Sequence, residues 1–217
     1  MSGAKKILKV DVGAGHPGSV EVAAERAHGS QADVELVRKA SAGDAAAFRV
    51  LYEGSFDFVF RSCRRLGLAE ADAEDVTQET FAIAHRRLAD FQTGRLDTWL
   101  YRIAANLVAA RHRKVRVREA LFSLWGKHEE PLAPSPHGAV EAKRASHDVG
   151  QVLARMAPKK REVFALFELE GLSGEEVAER VGCKVATVWT RLWHARKDFE
   201  RIARKRGLID DGQEQGE

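Results

Sequence analysis

One stretch near the C-terminus, GLSGEEVAERVGCKVATVWTRLWHARKDF from Gly171 to Phe199, constrains this chain more than any other. Ser173 and Glu176 form an S-x-x-E capping box, which satisfies free backbone donors and starts a helix. Val177, Ala178 and Val181 come next at helical spacing. Gly182 ends that helix, because glycine alone enters the left-handed region cheaply. Cys183 and Lys184 complete a tight turn. In the next helix Val188, Leu192, Ala195 and Phe199 recur with a 3.6-residue period and make a narrow apolar arc. The opposite arc carries Thr190, Trp193, His194 and Lys197, with Trp189 and Arg191 on its flanks. This is a helix-turn-helix, a motif whose second helix normally enters the major groove of duplex DNA.

The rest of the chain has to be compatible with that motif. At 217 residues there is room for one or two domains. No apolar run approaches the ~20 residues of a membrane-spanning helix, so no membrane insertion is expected. Residues 1–30 carry charges but no continuous apolar core of secretory type, and read as a disordered arm. The two cysteines, Cys63 and Cys183, have no CxxC partner. That argues against a disulfide framework or a zinc site and for a reducing cytoplasm. The net charge of +3 is modest, but its distribution is not. Basic residues cluster at Arg111–Arg118 and Arg191–Arg206, whereas Glu70–Glu79 is acidic. Such a chain can meet nucleic acid on one face and a basic protein surface on another.

The periodicity predicts an all-α protein of two small helical domains joined by a flexible linker. Gly43-Asp44 is a break followed by an N-cap; Phe48, Leu51, Tyr52, Phe58, Val59 and Leu66 then come at helical intervals, and Gly67 closes the helix. A second helix is expected over Asp72–Leu88, then a short Gln92-Thr93-Gly94 loop, then a third helix from about Asp97 through the basic run. From Glu119 to Gly138 the pattern decays, and Pro131, Pro134 and Pro136 mark a linker over 119–139. Helical periodicity resumes at Val149, Val152, Leu153 and Met156. Pro158 opens another helix that stops at Gly171. The two domains are thus expected at 31–118 and 140–206, with a disordered tail over 207–217.

Two helix faces stand out. In the Asp72–Leu88 segment Val76, Thr80, Ile83, Ala84 and Leu88 share one side, and Asp75, Gln78, Glu79 and Ala82 project from the other. That acidic face is either simply solvated or a docking surface for Arg or Lys of a partner. In the next helix Trp99, Leu100, Ile103, Leu107 and Ala110 are expected to be the buried side. Arg102, His112, Arg113 and Arg116 are expected to point outward, with Asn106 at the margin. A cationic run such as Arg111–Arg118 binds phosphates without reading sequence, or is a helix end favoured by the dipole. An amide such as Asn106 can both donate and accept, which suits the edge of an unstacked base. For Trp189 and Trp193 the residues leave two uses open: packing on a neighbouring helix, or contact with thymine methyls and sugars.

No Gly-rich phosphate loop, H-E-x-x-H or nucleophile elbow is found, so no catalytic residues, metal or cofactor are expected and the chain is not read as an enzyme. From the residues alone, a stand-alone helix-turn-helix regulator binding duplex operators as a homodimer remains open. So does an adaptor making only protein contacts.

The ordered pair of motifs adds a resemblance. DAEDVTQETFAIAHRRLADF followed by DTWLYRIAANLVAARHRK resembles domain 2 of bacterial RNA polymerase sigma factors. LARMAPKKREVFALFELEGLSGEEVAERVGCKVATVWTRLWHARKDF resembles their domain 4. With no room for a domain 3, the chain is similar to the extracytoplasmic-function (ECF) group of the sigma-70 family over about residues 31–206. The resemblance implies an alternative sigma factor that directs promoter-specific transcription initiation. Its implied partners are core RNA polymerase (β′ clamp helices and β flap), promoter DNA and an anti-sigma factor. It implies polymerase binding by Asp75, Gln78 and Glu79. It implies minus-10 recognition by Asn106, at the pocket for a flipped base, with Arg102, Arg111 and Arg113 on phosphates and Trp99 mainly structural. Thr187, Trp189, Thr190, Arg191, Trp193 and His194 fall where the family contacts the minus-35 element. Trp189 departs from the family, which usually has a small or basic residue there.

Overall fold

The computed structural model describes residues 31–91, 94–124 and 140–209. The arm expected over 1–30, Gln92 and Thr93 of the short loop, the Pro-containing part of the linker (125–139) and the tail from residue 210 lie outside the described residues. Within them the chain is all-α, with no strand. Eight α-helices are described: α1 (Gln31–Ser41), α2 (Ala45–Arg65), α3 (Glu70–Arg86), α4 (Leu96–Leu124), α5 (Val140–Arg155), α6 (Pro158–Phe164), α7 (Gly174–Val181) and α8 (Val185–Lys205). A short 3-10 turn at Leu88–Asp90 comes after α3, and a π turn at Ala165–Leu169 after α6. The described residues separate into two compact units, the first of residues 31–108 with 179–182 and the second of the described residues from 109 to 178 and from 183 to 209.

In the first unit the helix boundaries obey local chemistry. The Asp44 carboxylate accepts from the amides of Ala46 and Ala47 at 2.9 and 3.0 Å, the N-cap expected at the Gly43-Asp44 break. At the other end of α2, Gly67 takes a φ of 92°, and the amide of Leu68 reaches back to the Cys63 carbonyl. Helix α2 packs against α1 on one side and α3 on the other. Leu51, Val59, Cys63 and Leu66 at α2, with Ala73, Val76, Phe81 and Ala84 of α3, are buried. Thr77 and Thr80 are buried as well; each hydroxyl donates to the carbonyl four residues back, so neither leaves an unpaired donor in the core. Burial pushes the Cys63 thiol up to about 11, so it stays protonated and unreactive.

Helix α4 departs from the sequence expectation in its phase. Its buried side is Leu96, Leu100, Tyr101, Ala104, Ala105, Val108 and His112. Trp99, Ile103 and Leu107 are only half-buried and Ala110 is exposed. Leu100, Tyr101 and Val108 fill that side with Ala104 and Ala105 between them, and Trp99, Ile103 and Leu107 sit at its margin. His112, expected to point outward, is therefore inside. The helix also runs on to Leu124, past Glu119, because Glu, Ala and Leu are good helix formers.

Much of the second unit's apolar core is a single cluster. Val149, Val152, Leu153 and Met156 in and just after α5, Phe164 of α6, and Ala195, Phe199, Ile202 and Ala203 of α8 are all buried in it. Phe164 and Phe199 stack with ring centroids 4.7 Å apart and planes 14° from parallel. Leu208 and Ile209 also pack on this cluster, so the fold extends beyond Arg206, where the periodicity ends. Two ion pairs tie α6 and the π turn to α8: Lys160 to Asp198 at 2.7 Å, and Glu168 to Arg196 at 2.6 Å.

Candidate nucleic-acid interface

Helix α7 begins as its capping box dictates. The Ser173 amide donates to the Glu176 carboxylate at 2.8 Å, and the Glu176 amide donates back to the Ser173 hydroxyl at 3.3 Å. Gly182 has a φ of 69°, which turns the chain, and α8 starts three residues later. The apolar arc Val188, Leu192, Ala195 and Phe199 is buried as the spacing required.

That burial fixes the opposite side of α8 toward solvent. Thr190, Trp193, His194 and Lys197 all lie on that side, and His194 and Lys197 join the Trp193 ring there: the Lys197 ammonium sits 3.7 Å from its centroid, and His194 meets it edge-on at 4.7 Å. Trp193 itself is 54% exposed, and Trp189 and half-buried Arg191 lie on the flanks. Aromatic surface and cation thus form one unit: a flat apolar face for a base methyl or sugar, with a charge for a phosphate beside it. The Thr190 hydroxyl donates to the Ala186 carbonyl at 3.1 Å, which leaves its methyl and its oxygen lone pairs for an outside group. Trp189 is 47% exposed, yet its ring is engaged edge-to-face with Phe167 at 5.4 Å. Sequence spacing carries no sign of this contact, because Phe167 lies in the π turn.

In the first unit α3 presents Asp75, Gln78, Glu79 and Ala82, all exposed, on the side away from buried Val76, Thr80 and Ala84. At ~100° per residue these four fall within about a quarter of the helix circumference. On α4 the exposed residues Arg102, Asn106 and Arg113 lie within an arc of about 40° by the same geometry, with Trp99 beside them. Trp99 packs on Phe91 with centroids 5.7 Å apart. Arg111 is half-buried and points the opposite way round the helix, so the structure does not group it with the other three. Ile103 and Leu107, half-buried beside this face, are apolar surface that the spacing alone assigns to the core. Among the described residues no group of His, Cys, Asp or Glu is arranged to hold a metal, and no helix is long and apolar enough to cross a membrane.

A family model described as sigma-70 region 2 matches residues 51–118, and one described as sigma-70, region 4 matches residues 146–199. The chain is similar to RNA polymerase sigma factor NccH of Alcaligenes xylosoxydans xylosoxydans, 32% identical over 168 residues, or 76% of this chain and 90% of NccH. It is 33% identical to the ECF RNA polymerase sigma factor SigE of Mycolicibacterium smegmatis over 66% of this chain and 56% of SigE. The chain belongs to the ECF group of the sigma-70 family. Among solved structures it resembles the sigma factor RpoE of Bartonella quintana in complex with the anti-sigma factor NepR. The TM-score is 0.51 at 26% identity, over 72% of this chain and 96% of RpoE. This ECF sigma factor is thus an alternative sigma factor that binds core RNA polymerase and directs promoter-specific transcription initiation. The region 2 match at residues 51–118 disfavours a stand-alone operator-binding regulator, which needs only the helix-turn-helix. Sigma factors are initiation factors, not catalysts.

Proposed function

We propose a division of labour among the residues of this sigma factor. Sigma domain 2 comprises residues 31–118, and its α3 face docks on the β′ clamp helices through Asp75, Gln78 and Glu79. Asn106 holds a flipped minus-10 base while Arg102 and Arg113 hold backbone phosphates; Arg111 contributes positive potential from the far side of α4. Extruding a base costs a few kcal/mol, offset by its pocket and by the phosphate contacts. Sigma domain 4, residues 140–206, reads the minus-35 element through Thr187, Thr190, Arg191, Trp193 and His194 of α8, joined to domain 2 by the segment after the end of α4 at Leu124. The β flap is its further contact on the enzyme.

The single observation that carries this reading is the pair of exposed faces on helices of region 2: carboxylates on α3, guanidinium and amide groups on α4. One suits a basic protein surface and the other a polyanion. RpoE is described with an anti-sigma factor, and we extend that to this chain as a protein regulator; its working compartment is then the cytoplasm, where the polymerase is. The test is D75A/E79A in the full chain. Binding to purified core polymerase should fall to background while the circular dichroism stays that of wild type. Full binding in a pull-down would overturn the docking face.

A further inference from the structure

The structure assigns Trp189 a role other than reading bases: we infer that it is a positioning residue, seated in a notch that Gly174 leaves open, and that the pair sets how α8 is presented to the minus-35 DNA. This rests on the proposal that α8 is the reading helix.

Gly174 is the first residue of α7, directly after the Ser173 cap, and it is buried. It takes no positive φ, so nothing in its conformation calls for glycine; the space does. A Cβ built there would lie 2.7 Å from Cζ2 of Trp189, and 3.2 and 3.3 Å from Cε2 and Cη2 of the same ring. No carbon tolerates the first of these distances, so the indole lies across a site where every other residue would collide with it. The ring cannot simply slide away, because Phe167 backs it edge-to-face at 5.4 Å.

Phe167 is itself fixed. The π turn carries Phe167 and Glu168 toward α8, where Arg196 bonds the Glu168 carboxylate at 2.6 Å and places its guanidinium 5.7 Å from the Phe167 centroid. Helix α8 is therefore held at Trp189 and again two turns later at Arg196, both times by the π turn. Trp189 is additionally keyed to the start of α7. A side chain clamped in this way is half exposed because it bridges two helices at the surface. The exposed Trp193, whose described ring partners His194 and Lys197 belong to its own helix, is the aromatic left for DNA.

The test uses full-length protein reconstituted with core polymerase. The probes are a promoter duplex selected by that holoenzyme from random-sequence DNA, and the same duplex with its upstream element scrambled. Gly174→Ala should weaken binding to the intact duplex about tenfold or more, since overpacking forces the ring out of place. It should leave binding to the scrambled duplex and to core polymerase unchanged. Trp189→Leu, which removes the colliding ring, should restore the Gly174→Ala protein to within about threefold of wild type, a gap of well under one decade in affinity. If Trp189→Leu alone cost as much as Gly174→Ala and the double variant showed no rescue, Trp189 would be a reader and the inference would fall. Full binding by Gly174→Ala would sink it as well. If Gly174→Ala melted early, rescue of the melting temperature by Trp189→Leu would still support the notch, and no rescue would refute it. Failure of the underlying reading looks different: Trp193→Ala and the scrambled element would then leave wild-type binding unchanged.

Discussion

Removing the ring of Phe199 should cost the second unit a large part of its stability. The side chain is fully buried and stacked on Phe164 at 4.7 Å, and it belongs to the cluster that joins α5, α6 and α8. Phe→Ala at such sites costs about 3–5 kcal/mol, the transfer of the ring plus the cavity left behind. The near-parallel stack with Phe164 places this case in the upper half of that range, since an aromatic pair adds about 0.5–1.5 kcal/mol beyond area. Domains have only about 5–15 kcal/mol in total. Hydrogen exchange with mass spectrometry on the full chain measures this unit separately. Opening free energies of α8 amides should fall by at least about 4 kcal/mol. The unit's melting temperature should drop by at least about 16 °C, at roughly 4 °C per kcal/mol. Phe122→Ala, at a 39% exposed position, is the control and should stay within about 0.5 kcal/mol of wild type. A loss under about 1 kcal/mol for Phe199→Ala would mean that the stacked pair is not the core of this unit.

Smaller features carry further predictions. Ser173→Ala removes the α7 N-cap and should cost about 1 kcal/mol in urea denaturation, with Glu176→Gln retaining most of the box. Arg102→Ala with Arg113→Ala should weaken promoter binding about equally across sequences and flatten the log–log salt dependence by about one unit per lost phosphate contact. Burial raises the Glu162 carboxyl above its ordinary 4.5, against the pull of Arg161, Arg191 and Lys159. The folded state then holds the proton more tightly than the unfolded one, so stability declines as pH rises from the ordinary value through the raised one. Glu162→Gln should abolish that decline in urea midpoints taken between about pH 4 and pH 7. Asp198 has the opposite sign: its hydrogen bond from Lys160 lowers it, so its contribution is present above 3.8 and is lost as pH falls through the depressed value. Asp198→Asn should flatten that acid limb.

What the sequence made legible was the punctuation. The Asp44 cap, the Ser173–Glu176 box and the turns at Gly67 and Gly182 are each decided by one or two residues and their own backbone, and each is where the spacing put it. The apolar arc of α8 and the acidic face of α3 were legible for a related reason: apolar residues repeating at helical spacing mark the inside. Helix α4 defeated the same rule. Its buried stripe runs through Tyr101, Ala104, Ala105 and Val108, and a reading that skips the small alanines turns the helix toward Trp99 and Ile103 instead. The clamp on Trp189 had no signature at all, since it depends on a wide turn and on a missing side chain fifteen residues earlier, at Gly174.

The widened turn after α6 has an evolutionary corollary. The Glu170 amide reaches back five residues to the Ala165 carbonyl, so this loop of backbone holds one residue more than an ordinary helical repeat. Losing a single amino acid here would close the loop as an ordinary helical turn and withdraw the bulge that carries Phe167 and Glu168 to Trp189 and Arg196. A one-codon deletion at this point would therefore strip the recognition helix of that outside support while sparing its own backbone ladder.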